Sequence, residues 1–188
     1  MYVKQQYRSI IDLLEKYSPS DSWEQECKER MLLFVREHKD CFDRSLPVGH
    51  FTGSAWLLDH DQTHALLMHH AKLDKWLQLG GHCDGRSDVC AVAIKEAQEE
   101  SGIQAIVSIS SDIFDIDIHA IPAIGPNPEH LHYDVRFLLR VVSDESIAQN
   151  SESKELRWIS KNRTELPTNE RSVVRMFEKW INRPLKSN

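Results

Sequence analysis

The sequence has no C-x-x-C pair. Cys27, Cys41, Cys83 and Cys90 stand apart, which excludes a zinc ribbon or a thioredoxin-like motif. No apolar run approaches the ~18 residues of a membrane span. The opening stretch MYVKQQYRSIIDLLEKY has no continuous apolar core, so no secretory signal is expected. Free thiols in a reducing cytoplasm follow as the default. Positive charge is not in excess: 23 Lys and Arg stand against 29 Asp and Glu, a formal net charge of -6. That removes the electrostatic case for general nucleic-acid binding. An acidic enzyme acting on a phosphorylated substrate would need bound cations to offset its own charge. Internal repeats and low-complexity segments are also missing. What remains is an ordinary globular composition, 40% hydrophobic and 28% charged over 188 residues, enough for a substantial core. Ten histidines are more than average, and their placement matters below.

Residues 2–17 carry Ile10, Ile11, Leu13 and Leu14 among polar residues, which predicts an amphipathic helix. Asp21 and Glu24 stand at capping-box spacing before a second helix running to about Lys39. Together they form a helical extension over residues 1–45, ahead of a domain over 46–188. Three roles are open to this hairpin: a homodimer surface, a lid, or an extra packing layer. From His50 the texture turns to strands. HFTGSAWLLD and HALLMHH form a hairpin around Asp61 and Gln62. KWLQLGGHCDGRSD is a short strand entering a glycine-containing loop. VCAVAIKEAQEESG is a helix, with Ser87 or Asp88 as its cap and Gly102 at its end. Strands are expected at 104–109, 112–121, 130–142 and in KELRWIS. TNERSVVRMFEKWI closes as a helix with Val173, Val174, Phe177 and Trp180 on one side. The class is α+β, with an α/β/α sandwich as the expected arrangement.

The most informative segment is KEAQEESGI. Glu99 and Glu100 lie three and four residues beyond Glu96, so a helix puts all three carboxylates on one face. Like charges at this spacing repel by roughly 0.2–0.5 kcal/mol per pair. They also sit at the helix end whose dipole favours cations. A solvated acidic face with Lys95 and Lys154 as partners is the bland alternative. Against it, Gly80-Gly81 lets the backbone turn tightly just upstream. Mg²⁺ or Mn²⁺, an oxygen-seeking ion, suits such a carboxylate group.

GGHCDGRSDVCAVAIKEAQEESGI resembles the Nudix box. Gly81, Glu96, Glu99, Glu100, Gly102 and Ile103 fall on the family's positions without a gap. The resemblance implies a Nudix-like α/β/α sandwich that hydrolyses the diphosphate linkage of a nucleoside diphosphate derivative. It also implies Glu96, Glu99, Glu100 and the Gly80 carbonyl as Mg²⁺ ligands. Two positions depart: Ser87 stands for the family's first glutamate and Lys95 for its arginine. Asp88 is expected to pair with Lys95 and rebuild the brace between loop and helix.

HLHYDVR places His130, His132, Asp134 and Arg136 on one face of a strand. That face could offer a metal ligand, a general base, or a phosphate clamp through Arg136. An exposed sheet edge is the plain alternative. Because the family draws an extra acidic ligand or base from beyond the box, Asp134 and Glu129 are candidates. One of Glu99, Glu100 or Glu129 would take the proton from water. His82 and Asp84, inside the glycine loop, are read as substrate contacts or as loop hydrogen bonds. Cys83 lacks an obvious activating partner, and His50, His69 and His70 at strand ends and His119 within a strand rank low as site residues. Lys72, Lys75 and Arg86 flank the box and rank low as phosphate contacts. Two rivals remain. One is an enzyme similar to isopentenyl-diphosphate isomerases, which bind metal through His and Glu. The other is a non-catalytic nucleotide-binding module, which has no need of a repelling glutamate trio.

Overall fold

A computed structural model describes residues 9–123, 125 and 128–183. The chain divides into two compact units. Met1–Ser54, Gly80–Ala93 and Ser110–Phe137 form the first; Ala55–Leu79, Ile94–Ile109 and Leu138–Asn188 form the second. Strands β1 (Gly49–Leu58) and β7 (His130–Val141) and helix α3 (Val89–Ser101) each run from one unit into the other.

The first unit begins with α1 (Ile10–Lys16) and α2 (Ser22–Glu37). Ser9 caps α1 by accepting from the Asp12 N–H at 3.3 Å, so this helix starts at Ile10. The remainder of the expected start, residues 2–8, lies outside the described residues. Asp21 caps α2 through the Glu24 N–H at 2.8 Å. The Glu24 carboxylate is fully buried and accepts from the Tyr17 hydroxyl at 2.7 Å and the Ser20 N–H at 2.8 Å, which satisfies an otherwise costly buried charge. Lys28 Nζ donates to the Glu15 and Tyr17 carbonyls, closing the end of α1. Phe34 stacks on Tyr133 with ring centroids 3.9 Å apart and also meets Phe51. The hairpin is therefore an added packing layer of this unit, stapled by aromatic burial.

Strand β4 (Leu79–His82) pairs with β1, and β6 (Asp115–Ile121) runs antiparallel to β7. The β6–β7 register sets Asp115 opposite Arg136, Asp117 opposite Asp134 and His119 opposite His132. Directly opposed side chains share a face, so β6 extends the polar face of 130–136. At Gly80 a Cβ would stand 2.2 Å from Ser54 Oγ, so only glycine allows this approach of β4 to β1.

In the second unit β2 (His64–His70) lies antiparallel to β1, β3 (Lys75–Leu77) and β8 (Ser153–Ser160). The β1–β2 turn is held by Asp59, whose carboxylate accepts from the Thr63 and His64 N–H groups at 2.7 and 3.0 Å. Gln62 takes the positive φ that the turn needs. Strand β5 (Ile106–Ser108) pairs with the end of β7. Helix α4 (Arg171–Ile181) buries Val173, Met176, Phe177 and Trp180, with Trp180 against the fully buried Trp56. Gly102 ends α3 with φ 79°, its N–H donating to the Gln98 carbonyl at 2.9 Å. A Cβ at Gly102 would meet Ala148 Cβ at 2.4 Å. The observed class is α+β, a mixed sheet with helices and an N-terminal helical hairpin.

Candidate functional site

Helix α3 carries the carboxylates as its periodicity requires. Glu96 is half-buried, Glu99 exposed and Glu100 buried, at 4% exposure. The Lys95 ammonium lies 3.0 Å from Glu96 Oε1 and 2.7 Å from Glu99 Oε2. Its bonds to Glu99 and Glu96 push its pKa up. Asp88 instead caps α3, accepting from the Ala91 N–H at 3.0 Å. The expected Asp88–Lys95 brace is thus corrected: Asp88 serves the orphan N–H groups at the helix start, and Lys95 serves the acidic face. Lys154 pairs with Asp74, so it is not a partner of the trio as the bland alternative supposed. The Asn150 amide donates to the Glu99 carbonyl at 3.2 Å, tying down the last turn.

In the first unit, the polar face of β7 divides into two parts. At one end Arg136 is 1% exposed. Its guanidinium reaches Asp134 at 2.7 Å, Asp115 at 2.8 Å and Asp117 at 3.3 Å. Burial works against its charge, and the three carboxylates outweigh that cost, so its pKa is pushed up. Asp134 also accepts from Thr52 Oγ1 at 2.9 Å and Ser54 Oγ at 2.7 Å, and Asp117 from Trp23 Nε1 at 2.8 Å. This network engages Arg136, expected as a phosphate clamp, and Asp134, expected as a ligand or substrate contact, with partners inside the protein. Their charges meet one another inside the protein. The alternation Asp115, Ile116, Asp117, Ile118, His119 is the sequence signal for the partner strand, whose acidic members meet β7.

At the other end the histidines gather. His50 rings lie 5.1 Å from His82, 5.1 Å from His130 and 4.8 Å from His132. His119 approaches His132 at 5.5 Å. His50 is 1% exposed. Burial, then His82 and His130, push its pKa from 6.5 down to about 4. Burial and the surrounding histidines push His132 down to about 2. Burial also lowers His82. These imidazoles are neutral near pH 7, with lone pairs free to bind. His50 follows the alternation of β1 with Thr52 and Ser54. Only long-range pairing reveals its place beside β7.

The loop residues take mixed parts. Asp84 has a positive φ and receives both arms of Arg44, so Arg44 of the extension anchors the loop. The Gly85 N–H donates to the Phe42 carbonyl at 2.9 Å. Glu129 is exposed just before β7. None of the four cysteines is in a disulfide, and Cys83 is buried. Among the described residues no helix is long and apolar enough to cross a membrane.

The NUDIX domain family model matches residues 49–180. The chain belongs to the Nudix family, whose members hydrolyse nucleoside diphosphates linked to another moiety and generally use divalent metals. A comparison with curated proteins finds no match. Among solved structures, a Nudix-family hydrolase from Clostridium perfringens is 27% identical with a TM-score of 0.51, over 70% of this chain and 96% of that one. A MutT protein from Methanosarcina mazei Go1 is 17% identical with a TM-score of 0.56, over 72% and 95%. An Ap4A hydrolase from C. elegans is 15% identical with a TM-score of 0.55, over 70% and 94%. The last two show the shared fold alone.

Proposed function

We propose that this Nudix pyrophosphohydrolase cleaves the diphosphate linkage of a small nucleoside diphosphate derivative, using Mg²⁺ or Mn²⁺ held by Glu96, Glu99 and Glu100. The observation that carries the reading is Lys95. Its ammonium lies across Glu96 and Glu99 at 3.0 and 2.7 Å, marking where the acidic face accepts positive charge. The donors are all carboxylate oxygens, and these suit a hard divalent ion. A role for the Gly80 carbonyl rests on the family resemblance alone. When bound, the ion supplies charge stabilisation for the phosphates and lowers the pKa of the attacking water.

The chain's own residues supply the proton acceptor. Glu99, Glu100 and Glu129 are the candidates, and Glu99 is favoured because it is exposed whereas Glu100 is buried. The isomerase reading fares worse, since Cys83, the thiol inside the glycine loop, is buried. The fold neighbour named as an Ap4A hydrolase directs the first screen to dinucleoside polyphosphates. Nucleoside diphosphate sugars, ADP-ribose, coenzyme A and capped RNA complete it.

Glu99→Gln tests the reading. Mg²⁺-dependent turnover should fall by roughly 100-fold or more, while the melting temperature stays close to that of the parent. Unchanged turnover would remove Glu99 from the machinery. Recovery of an isomerised diphosphate, with no phosphate or monophosphate released, would replace hydrolysis by isomerisation.

A further inference from the structure

The histidine group on β1, β4 and β7 lies apart from the glutamates in the chain and carries a different donor chemistry. One nitrogen each of His50, His130 and His132 lies within 4.8 Å of the others. Among the described residues both nitrogens of His50 and the Nε2 of His132 are buried without a hydrogen-bond partner. An unpaired buried imidazole nitrogen costs free energy, so two neighbouring histidines with such atoms require an explanation. His130 Nδ1 lies 2.9 Å from the Pro128 carbonyl oxygen. With the proton on Nδ1, it donates to that oxygen and leaves Nε2 as a lone-pair donor. Metal-binding histidines are commonly oriented by such a bond.

We propose that His50, His130 and His132 form a nitrogen-ligand site for a transition-metal ion of the Zn²⁺ class, with His82 facing the fourth position. Zn–N bonds of about 2.0–2.1 Å place tetrahedral ligands about 3.4 Å apart. With the nitrogens within 4.8 Å of one another, the imidazoles close in by at most about 1.4 Å to bind. His82 is 5.1 Å from both His50 and His132, centroid to centroid. Imidazole nitrogen suits Zn²⁺, Co²⁺ or Ni²⁺, whereas Mg²⁺ prefers oxygen. The site is therefore chemically distinct from the glutamate face, and it stands whether or not that face is catalytic.

The test uses the tag-free full chain, stripped with chelator and dialysed against Zn²⁺ in millimolar Mg²⁺ that fills any carboxylate site. One Zn²⁺ per chain should remain. Co²⁺ in its place should show the visible ligand-field bands of a four-coordinate nitrogen site. His132→Ala and the less buried His130→Ala should each weaken Zn²⁺ binding by roughly 100-fold or more, while Glu99→Gln leaves it unchanged. Absence of retained Zn²⁺ in the wild-type chain would overturn the proposal without touching the glutamate reading. So would retention undiminished in both histidine variants, or loss in Glu99→Gln alone. The wild-type stoichiometry is decisive even where a variant fails to fold.

Discussion

Replacing Arg136 with Met separates an internal structural role from a substrate role. Arg136 is 1% exposed, and its three carboxylate partners lie at 2.7 to 3.3 Å. Removing it leaves Asp115, which is fully buried, together with Asp117 and Asp134, without their shared cation. Breaking a buried ion pair by deleting one partner costs about 3–5 kcal/mol. A domain of this size loses about 2–4 °C of melting temperature per kcal/mol, so a cost near 4 kcal/mol lowers it by about 8–16 °C. Arg136→Lys should cost less, because it keeps the charge and loses only the planar fork that reaches three carboxylates at once. The assay is thermal and urea unfolding, run beside turnover at a temperature where both variants are folded. KM should hold within a few-fold. A melting temperature lowered by less than about 2 °C, with KM raised tenfold or more, would refute the burial argument and restore Arg136 as a phosphate contact.

Phe34 is 5% exposed and stacked on Tyr133, so Phe34→Ala should destabilise by about 3–5 kcal/mol. A chain starting at residue 46 should fail to fold cooperatively, and a cooperative urea transition in it would show the extension to be dispensable. Gly80→Ala forces a Cβ within 2.8 Å of the Ser54 Cα and should cost about 1–3 kcal/mol, read as a lower urea midpoint. The pKa of His50 is lower in the folded chain than in the unfolded one, so its contribution to stability is full above pH 6.5. That contribution is lost as pH falls towards about 4. Allowing for screening, it amounts to about 1–3 kcal/mol. His50→Asn should flatten the metal-free stability profile between pH 7 and pH 4, and an unchanged slope would contradict the assignment.

Local features were legible in the sequence because they depend on residues close together. Glu96, Glu99 and Glu100 had to share a face once α3 formed, and Gly102 had to end it. The alternation of His130, His132, Asp134 and Arg136 placed them on one face without any knowledge of the sheet. The two departures from the family pattern are also visible in the sequence, but the partners that Asp88 and Lys95 take are not. Asp88 was drawn to the unpaired N–H groups of the helix start, and Lys95 to carboxylates one and four residues away.

What the face of β7 does was decided by its neighbours. A guanidinium next to a carboxylate on a strand is compatible with a phosphate site or with a buried network. The choice depends on the β6 register that brings Asp115 and Asp117 to Arg136. His50 and His82 stand far from His130 and His132 in the chain, and only the pairing of β1, β4 and β7 sets them together. The sequence by itself determined the family, the class and the acidic face, since those follow from short-range periodicity and fixed spacing. Tertiary structure alone closed the Arg136 network and assembled the histidines, because burial and ligand geometry arise from contacts between distant strands.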